Sequence, residues 1–192
     1  MPIASAQVKS ALLLAGLFAD SPTRVIEPAV SRDHSERMLE AMGVKLQRAA
    51  LSVELQPPSR LDAQHLRVPG DFSSAAFFIV AGLIGASAGG LLIRNVGMNP
   101  TRTGLLDILR SMDARIEVQD PRQAGAEAVA DLLVMRSALR GVAVPPALVP
   151  LAIDEFPALF IAAACAAGET HISGAEELRV KESDRIAVMS EG

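Results

Sequence analysis

The chain is poor in cysteine, in histidine and in surplus positive charge. It has one cysteine, Cys165, so no disulfide can form within it, and a reducing compartment is expected. Cys165 sits in the apolar run Ile161-Ala162-Ala163-Ala164-Cys165-Ala166-Ala167 and is expected to be a small buried core residue. The three histidines, His34, His65 and His171, are far apart, and no Cys/His cluster has metal-ligand spacing, so no metal site is expected. Eighteen cations against 22 acids give a net charge of −4, which argues against a general nucleic-acid binder. It leaves room for a local anion pocket. The first residues lack a basic stretch followed by an apolar core, so no signal peptide is expected.

One uncharged run could span a bilayer by length, residues 72–93. Gly82, Gly85, Gly89 and Gly90 break it, and Ser73, Ser74 and Ser87 interrupt its hydrophobicity. A helix, a glycine turn and a strand are expected there instead of a membrane span. Hydrophobic residues make up 50% of the chain and charged ones 21%, a globular balance. A length of 192 residues allows one large domain or two small ones.

One order of elements recurs three times, at intervals of about 75 residues. The first copy reads helix 5–19, strand 23–26, amphipathic helix 33–42, then strands 44–47 and 51–55, with Gly43 closing the second helix. The second reads helix 73–83, strand 91–94, helix 103–112, strand 114–118 and a further strand-like element 131–135. The third reads helix 156–167, strand 170–172 and a helix from about Ser183, and it stops before its last strands. The pattern predicts an α/β chain of repeated β-α-β-α-β-β units, each burying helices against a sheet. A chain that ends inside a unit is expected to be a fragment, with helix 183–192 short of packing partners.

Polar residues recur at the start of each copy's first helix: Ser5 and Gln7; Asp71, Ser73 and Ser74; Asp154 and Glu155. Each is expected to cap its helix. The loop after each copy's first strand is also polar: Ser31-Arg32-Asp33, Asn99-Pro100-Thr101-Arg102 and Lys181-Glu182-Ser183. Helix starts that recur in register aim their dipoles together, which suits a polyanion. The densest signal is Glu177-Leu178-Arg179-Val180-Lys181-Glu182-Ser183-Asp184-Arg185, directly before an apolar run. Lys181 and Arg185 are four apart and would share a face if a helix began there, near N–H groups that favour anions. Glu182 beside them is a candidate proton donor.

Four motifs carry a family resemblance. They are Ala4-Ser5-Ala6-Gln7-Val8-Lys9-Ser10-Ala11; Ser31-Arg32-Asp33-His34-Ser35-Glu36-Arg37-Met38-Leu39; Val68-Pro69-Gly70-Asp71-Phe72-Ser73-Ser74-Ala75-Ala76-Phe77-Phe78; and Leu178-Arg179-Val180-Lys181-Glu182-Ser183-Asp184-Arg185. In this order they resemble the bacterial 5-enolpyruvylshikimate-3-phosphate synthase (3-phosphoshikimate 1-carboxyvinyltransferase) family. The resemblance covers essentially the whole chain and implies an enolpyruvyl transferase-like fold. In that fold two domains of repeated units, each arranged around a pseudo-threefold axis, flank the active-site cleft. It divides this chain into residues 1–66, the end of one domain, and residues 67–192, about two units of the other.

The resemblance also implies chemistry. Ser5, Ala6 and Gln7 would hold 3-phosphoshikimate, with Gln7 also near phosphoenolpyruvate, and Arg32 would meet the shikimate phosphate. Asp154 would take the proton of the shikimate 5-hydroxyl, Lys181 would touch both substrates, Glu182 would protonate the methylene carbon, and Arg185 would bind phosphoenolpyruvate. Such a reaction makes physical sense, since a hydroxyl must lose a proton as it attacks C2 and C3 must gain one. Two carboxyls can divide those tasks if their surroundings separate their pKa values. No metal or cofactor is implied, and a cytoplasmic monomer is expected, without nucleic-acid or membrane partners. The family is about twice this length, and several of its anion-binding motifs have no counterpart here. The isolated chain is therefore expected to be inactive, and its exposed sheet edges are expected to let copies associate. Two alternatives stand beside this reading. One is the related transferase acting on UDP-N-acetylglucosamine, disfavoured by Cys165 standing on an apolar helix. The other is a non-catalytic remnant of the fold.

Overall fold

The computed structural model describes residues 1–180 and 183–191. It divides into two units, Met1–Val68 with Gln123–Glu127, and Pro69–Arg122 with Ala128–Gly192.

In the first unit, helix α1 (Ala6–Gly16) begins at Ser5, whose hydroxyl accepts from the Val8 N–H at 3.3 Å. The helix stops at Gly16, earlier than expected, and residues 17–19 turn back on it through bonds to Leu14, Ala15 and Gly16 carbonyls. Strand β1 (Thr23–Ile26), helix α2 (His34–Ala41) and strands β2 (Leu46–Ala49) and β3 (Ser52–Leu55) follow. The sheet is antiparallel in the order β1-β3-β2, with Val53 opposite both Val25 and Arg48. Alternation along β3 puts Val53 and Leu55 on the inner face, where they meet Leu13, Val25, Leu39 and Val44. This core is small, and α1 leaves Val8, Leu12 and Leu14 exposed.

The second unit repeats the order. Helix α3 (Phe72–Gly85) starts at Asp71, whose carboxylate accepts from the Ser74 N–H at 2.8 Å. Strand β4 (Leu91–Gly97), helix α4 (Gly104–Ser111) and strands β5 (Arg115–Ala124) and β6 (Glu127–Met135) complete the copy, in the sheet order β4-β6-β5. Strand β5 runs six residues beyond its expected end at 118, through Pro121. Proline fits because β5 lies at the sheet edge, where a missing N–H costs no ladder bond. The uncharged run 72–93 is α3, a turn and the start of β4, and α3 buries Phe72, Ala76, Ile79, Val80 and Leu83 in the core. Among the described residues no single helix is long and apolar enough to cross a membrane.

The third copy is built on less sheet. A 3-10 turn (Pro146–Leu148) and helix α5 (Val149–Ala152) lead to α6 (Phe156–Ala164), and a second 3-10 turn (Glu176–Arg179) leads to α7 (Arg185–Glu191). The expected strand 170–172 is reduced to one isolated parallel bridge, Ala143 with His171, and a second bridge, Arg140 with Ala167, lies just before it. The partner segment meets it only at these points, through bonds such as His171 N–H to the Val142 carbonyl at 2.9 Å. A like parallel bridge, Gly70 with Val96, precedes α3, so parallel pairing is reduced to one residue pair in the second copy and two in the third. Cys165 corrects its expectation: α6 ends at Ala164, and Cys165 is exposed just beyond it. Helix α7 buries no residue.

Candidate active site

The first-unit residues stand on two segments. Ser5, Ala6 and Gln7 form the start of α1, with Ser5 and Ala6 half-buried and Gln7 exposed. Arg32 is half-buried in the loop between β1 and α2. That loop is held from both sides. The Ser31 hydroxyl donates to Glu27 Oε2, while Arg37 Nε donates to both oxygens of Asp33 at 2.9 Å and Arg48 Nη1 donates to Asp33 Oδ2 at 3.1 Å. The Asp33 hydrogen bond holds the Arg37 guanidinium pKa above its usual value, against the opposing effect of burial.

A residue outside the expected set joins these segments. Lys9 is 2% exposed, and its Nζ donates to Glu27 Oε1 and lies against Glu36 Oε1, both at 2.8 Å. The Ser31 carbonyl lies 3.5 Å from the same nitrogen. Sequence periodicity carried the signal: Lys9, Leu13 and Gly16 form the buried stripe of α1, so Lys9 occupies a core position. A lysine there needs buried anions, and Glu27 and Glu36 supply them.

In the second unit, Asp154 lies just ahead of α6. Glu155, not Asp154, holds the N-cap position, and it makes no capping side-chain bond. Arg185, the first residue of α7, reaches back so that Nη1 lies 3.8 Å from Asp154 Oδ1 and 3.4 Å from the Ile153 carbonyl. Asp154 and Arg185 are therefore brought together, with side chains 26% and 19% exposed. Lys181 and Glu182 lie outside the described residues. Helix α7 begins at Arg185. Asp184 accepts from the Ile186 and Ala187 N–H groups at 3.1 and 3.0 Å, which starts α7 at Arg185. Those N–H groups, the Ala187 one above all, hold the Asp184 carboxyl below the ordinary aspartate range, with Arg179 adding to the effect.

The middle copy repeats the device. Arg102, in the loop before α4, donates to the Ser73 hydroxyl and lies 3.5 Å from both Asp71 Oδ1 and Glu155 Oε1. The Ser73 hydroxyl donates in turn to Glu155, which is 3% exposed. Asn99 shapes that loop by accepting from the Thr101 N–H at 2.9 Å and hydroxyl at 2.7 Å. An arginine from a loop or helix start returning to the head of a preceding helix thus recurs in the second and third copies. A cavity of about 470 Å³ in the first unit, walled partly by Lys45, Arg60 and Asp62, holds none of the expected site residues. Among the described residues no group of His, Cys, Asp and Glu is placed to hold a metal ion.

Arginines and a carboxylate at helix starts can hold phosphate and carboxylate groups and move a proton beside them. Comparison with known proteins shows which family the chain belongs to. A family model described as EPSP synthase (3-phosphoshikimate 1-carboxyvinyltransferase) matches residues 1–192. The 3-phosphoshikimate 1-carboxyvinyltransferase of Acidithiobacillus ferrooxidans is 59% identical over 192 residues, all of this chain and 44% of that protein. The protein of the same name from Halorhodospira halophila is 60% identical over 192 residues, 43% of its length. The solved EPSP synthase of Acinetobacter baumannii superposes with a TM-score of 0.93 at 51% identity, covering this whole chain and 43% of that one. The chain thus spans less than half the length of the relatives it matches. Both its sequence along its whole length and its α/β architecture place the chain in the EPSP synthase (3-phosphoshikimate 1-carboxyvinyltransferase) family.

Proposed function

We propose that the whole protein transfers the enolpyruvyl group of phosphoenolpyruvate to the 5-hydroxyl of 3-phosphoshikimate, releasing inorganic phosphate. One observation carries this reading: a chain matching the family from end to end sets Asp154 beside Arg185 at the heads of two helices. Asp154 accepts the 5-hydroxyl proton as that oxygen bonds to C2 of phosphoenolpyruvate, and Glu182 gives a proton to C3. The resulting tetrahedral adduct then loses a proton from C3. The C2–O bond to phosphate breaks, the double bond re-forms and phosphate leaves. Arg185 and Lys181 balance the charge of phosphoenolpyruvate, while Ser5, Ala6, Gln7 and Arg32 hold 3-phosphoshikimate.

This places the protein in the supply of aromatic amino acids, acting on two small anions. The net charge of −4 supports a protein without nucleic-acid partners. A cytoplasmic monomer fits the single cysteine and the small substrates. The 192-residue chain alone is expected to give no turnover, since it spans 44% of its relative from Acidithiobacillus ferrooxidans. The test is phosphate release by the whole protein with both substrates present. Release that requires 3-phosphoshikimate supports the reading, and its absence from folded whole protein overturns it.

A further inference from the structure

Lys9 is a buried cation that the proposed reaction does not use. Its backbone N–H donates to the Ser5 carbonyl at 2.9 Å, so it closes the first turn of the helix that carries Ser5, Ala6 and Gln7. Its ammonium enters a cage made by Glu27 at the end of β1 and Glu36 on α2. Glu27 is shared: Oε1 accepts from Lys9 and Oε2 accepts from the Ser31 hydroxyl, next to Arg32. A second link joins the same helices, Ser10 Oγ to Ser35 Oγ at 2.6 Å.

The cage is not the cheapest way to fill this space. It holds one cation and two carboxylates, and Glu36 Oε2 is buried with no hydrogen-bond partner among the described residues. Apolar side chains of similar volume would often be neutral or stabilising there. What apolar side chains cannot do is fix the distance between a helix turn and a loop through directed bonds.

We propose that Lys9 is a positioning residue that registers the turn of residues 5–7 against the loop holding Ser31 and Arg32, so that both segments reach one phosphate group. The inference rests on the reading above that these two segments hold 3-phosphoshikimate. The path runs from the Ser5 carbonyl through Lys9 and Glu27 to Ser31, without a contact between Lys9 and substrate.

Two variants of the whole protein test it. Glu27→Met leaves Lys9 paired with Glu36 and removes the surplus buried charge, but it cuts the tie through Glu27 to the Ser31 hydroxyl and leaves only the long 3.5 Å contact of Lys9 with the Ser31 carbonyl. Lys9→Met with Glu36→Met keeps the cluster's net charge and the Ser31 tie, but it cuts the tie to α1. KM for each substrate, kcat and the melting temperature are measured for both. The expected result is a rise in KM for 3-phosphoshikimate of about tenfold, with KM for phosphoenolpyruvate within about twofold of wild type. In Glu27→Met the melting temperature should hold or rise. A merely structural role would instead lower the melting temperature and move both KM values together, and that overturns the proposal. Wild-type KM values in Glu27→Met overturn it as well, and that variant decides alone if the double variant fails to fold. If wild-type whole protein does not bind 3-phosphoshikimate by calorimetry, the functional reading fails and takes this inference with it. Wild-type binding with unaffected variants sinks the inference only.

Discussion

Arg185 Nη1 stands 3.8 Å from Asp154 Oδ1, at the outer limit of an ion pair, and closer to the Ile153 carbonyl at 3.4 Å. The guanidinium thus reaches both the carboxylate ahead of α6 and the backbone carbonyl beside it. Lysine has no fork and cannot hold a carbonyl while engaging a carboxylate in two places. We expect Arg185→Lys in the whole protein to raise KM for phosphoenolpyruvate by about tenfold, the scale of one charge-assisted bond. Steady-state kinetics with each substrate varied in turn would measure this.

Asp154 itself should show a different signature. If it accepts the hydroxyl proton, Asp154→Asn removes the base while keeping size and hydrogen-bonding ability. The expected outcome is a fall in kcat of about 10²- to 10⁴-fold, with KM values little changed. A KM-only effect, read from the same assay, would instead mark Asp154 as a binding group.

Lys9→Met as a single change leaves Glu27 and Glu36 facing each other in a buried space without their shared cation. Breaking a buried ion pair from one side costs roughly 3–5 kcal/mol. That is a large part of the stability of an ordinary domain. Urea unfolding should show a lower midpoint with little change in slope, and adding Glu36→Met should restore part of the loss.

The repeat was legible because hydrophobic period and capping residues agree at the heads of its helices. Ser5 and Asp71 begin α1 and α3, and α2, α4 and α6 lie close to their expected spans. What was not legible depends on partners distant in sequence. Strand β5 passes through Pro121 because it lies at an edge, a position no local pattern announces. The segment 170–172 has strand-like residues but only one bridge to pair with. In the site, the structure sets Arg185 beside Asp154, a contact made across 31 positions of sequence. Lys9 was not singled out, because its role depends on Glu27 and Glu36, 18 and 27 positions away. A lysine on an otherwise apolar helical stripe was the available clue.

Asp131 gives a prediction in pH. Strand β4 shifts register between Ile93 and Val96, where Asn95 adopts φ 59°. Asp131 repairs the ladder there by accepting from the Asn95 N–H at 2.8 Å and from Arg122 Nη2 at 2.9 Å. The Asn95 bond first, and then Arg122, hold its carboxyl below the ordinary aspartate range. A folded-state pKa below the unfolded one contributes stability above the unfolded value, and that contribution is lost as pH falls through the folded value. The melting temperature of wild type should exceed that of Asp131→Asn near neutrality, and the gap should close as pH falls below about 3.9. Melts recorded at stepwise lower pH would show the convergence.

Gly141 and Gly125 separate two reasons for glycine. Gly125, between β5 and β6, has φ +65° and open space around a would-be Cβ. Alanine there should cost only the left-handed backbone strain, about 1 to 2 kcal/mol. At Gly141 the backbone needs no special conformation, but a Cβ would stand 2.2 Å from the Glu169 carbonyl oxygen and 2.4 Å from its carbon. Those atoms are backbone and cannot swing aside. The Gly141 N–H also donates to the Ala167 carbonyl at 2.9 Å, between the two parallel bridges of the third copy. Alanine must therefore push apart the segments that those bridges join. Gly141→Ala should cost more than Gly125→Ala, at or above the roughly 1–3 kcal/mol of ordinary overpacking. Hydrogen exchange should localise its effect to the amides of Val144, Ala167 and His171, whose bonds cross the same joint, while those of β1 to β3 stay protected. Equal losses for the two variants in chemical denaturation would mean that the third copy can part there without cost, and that its bridges hold little of the fold.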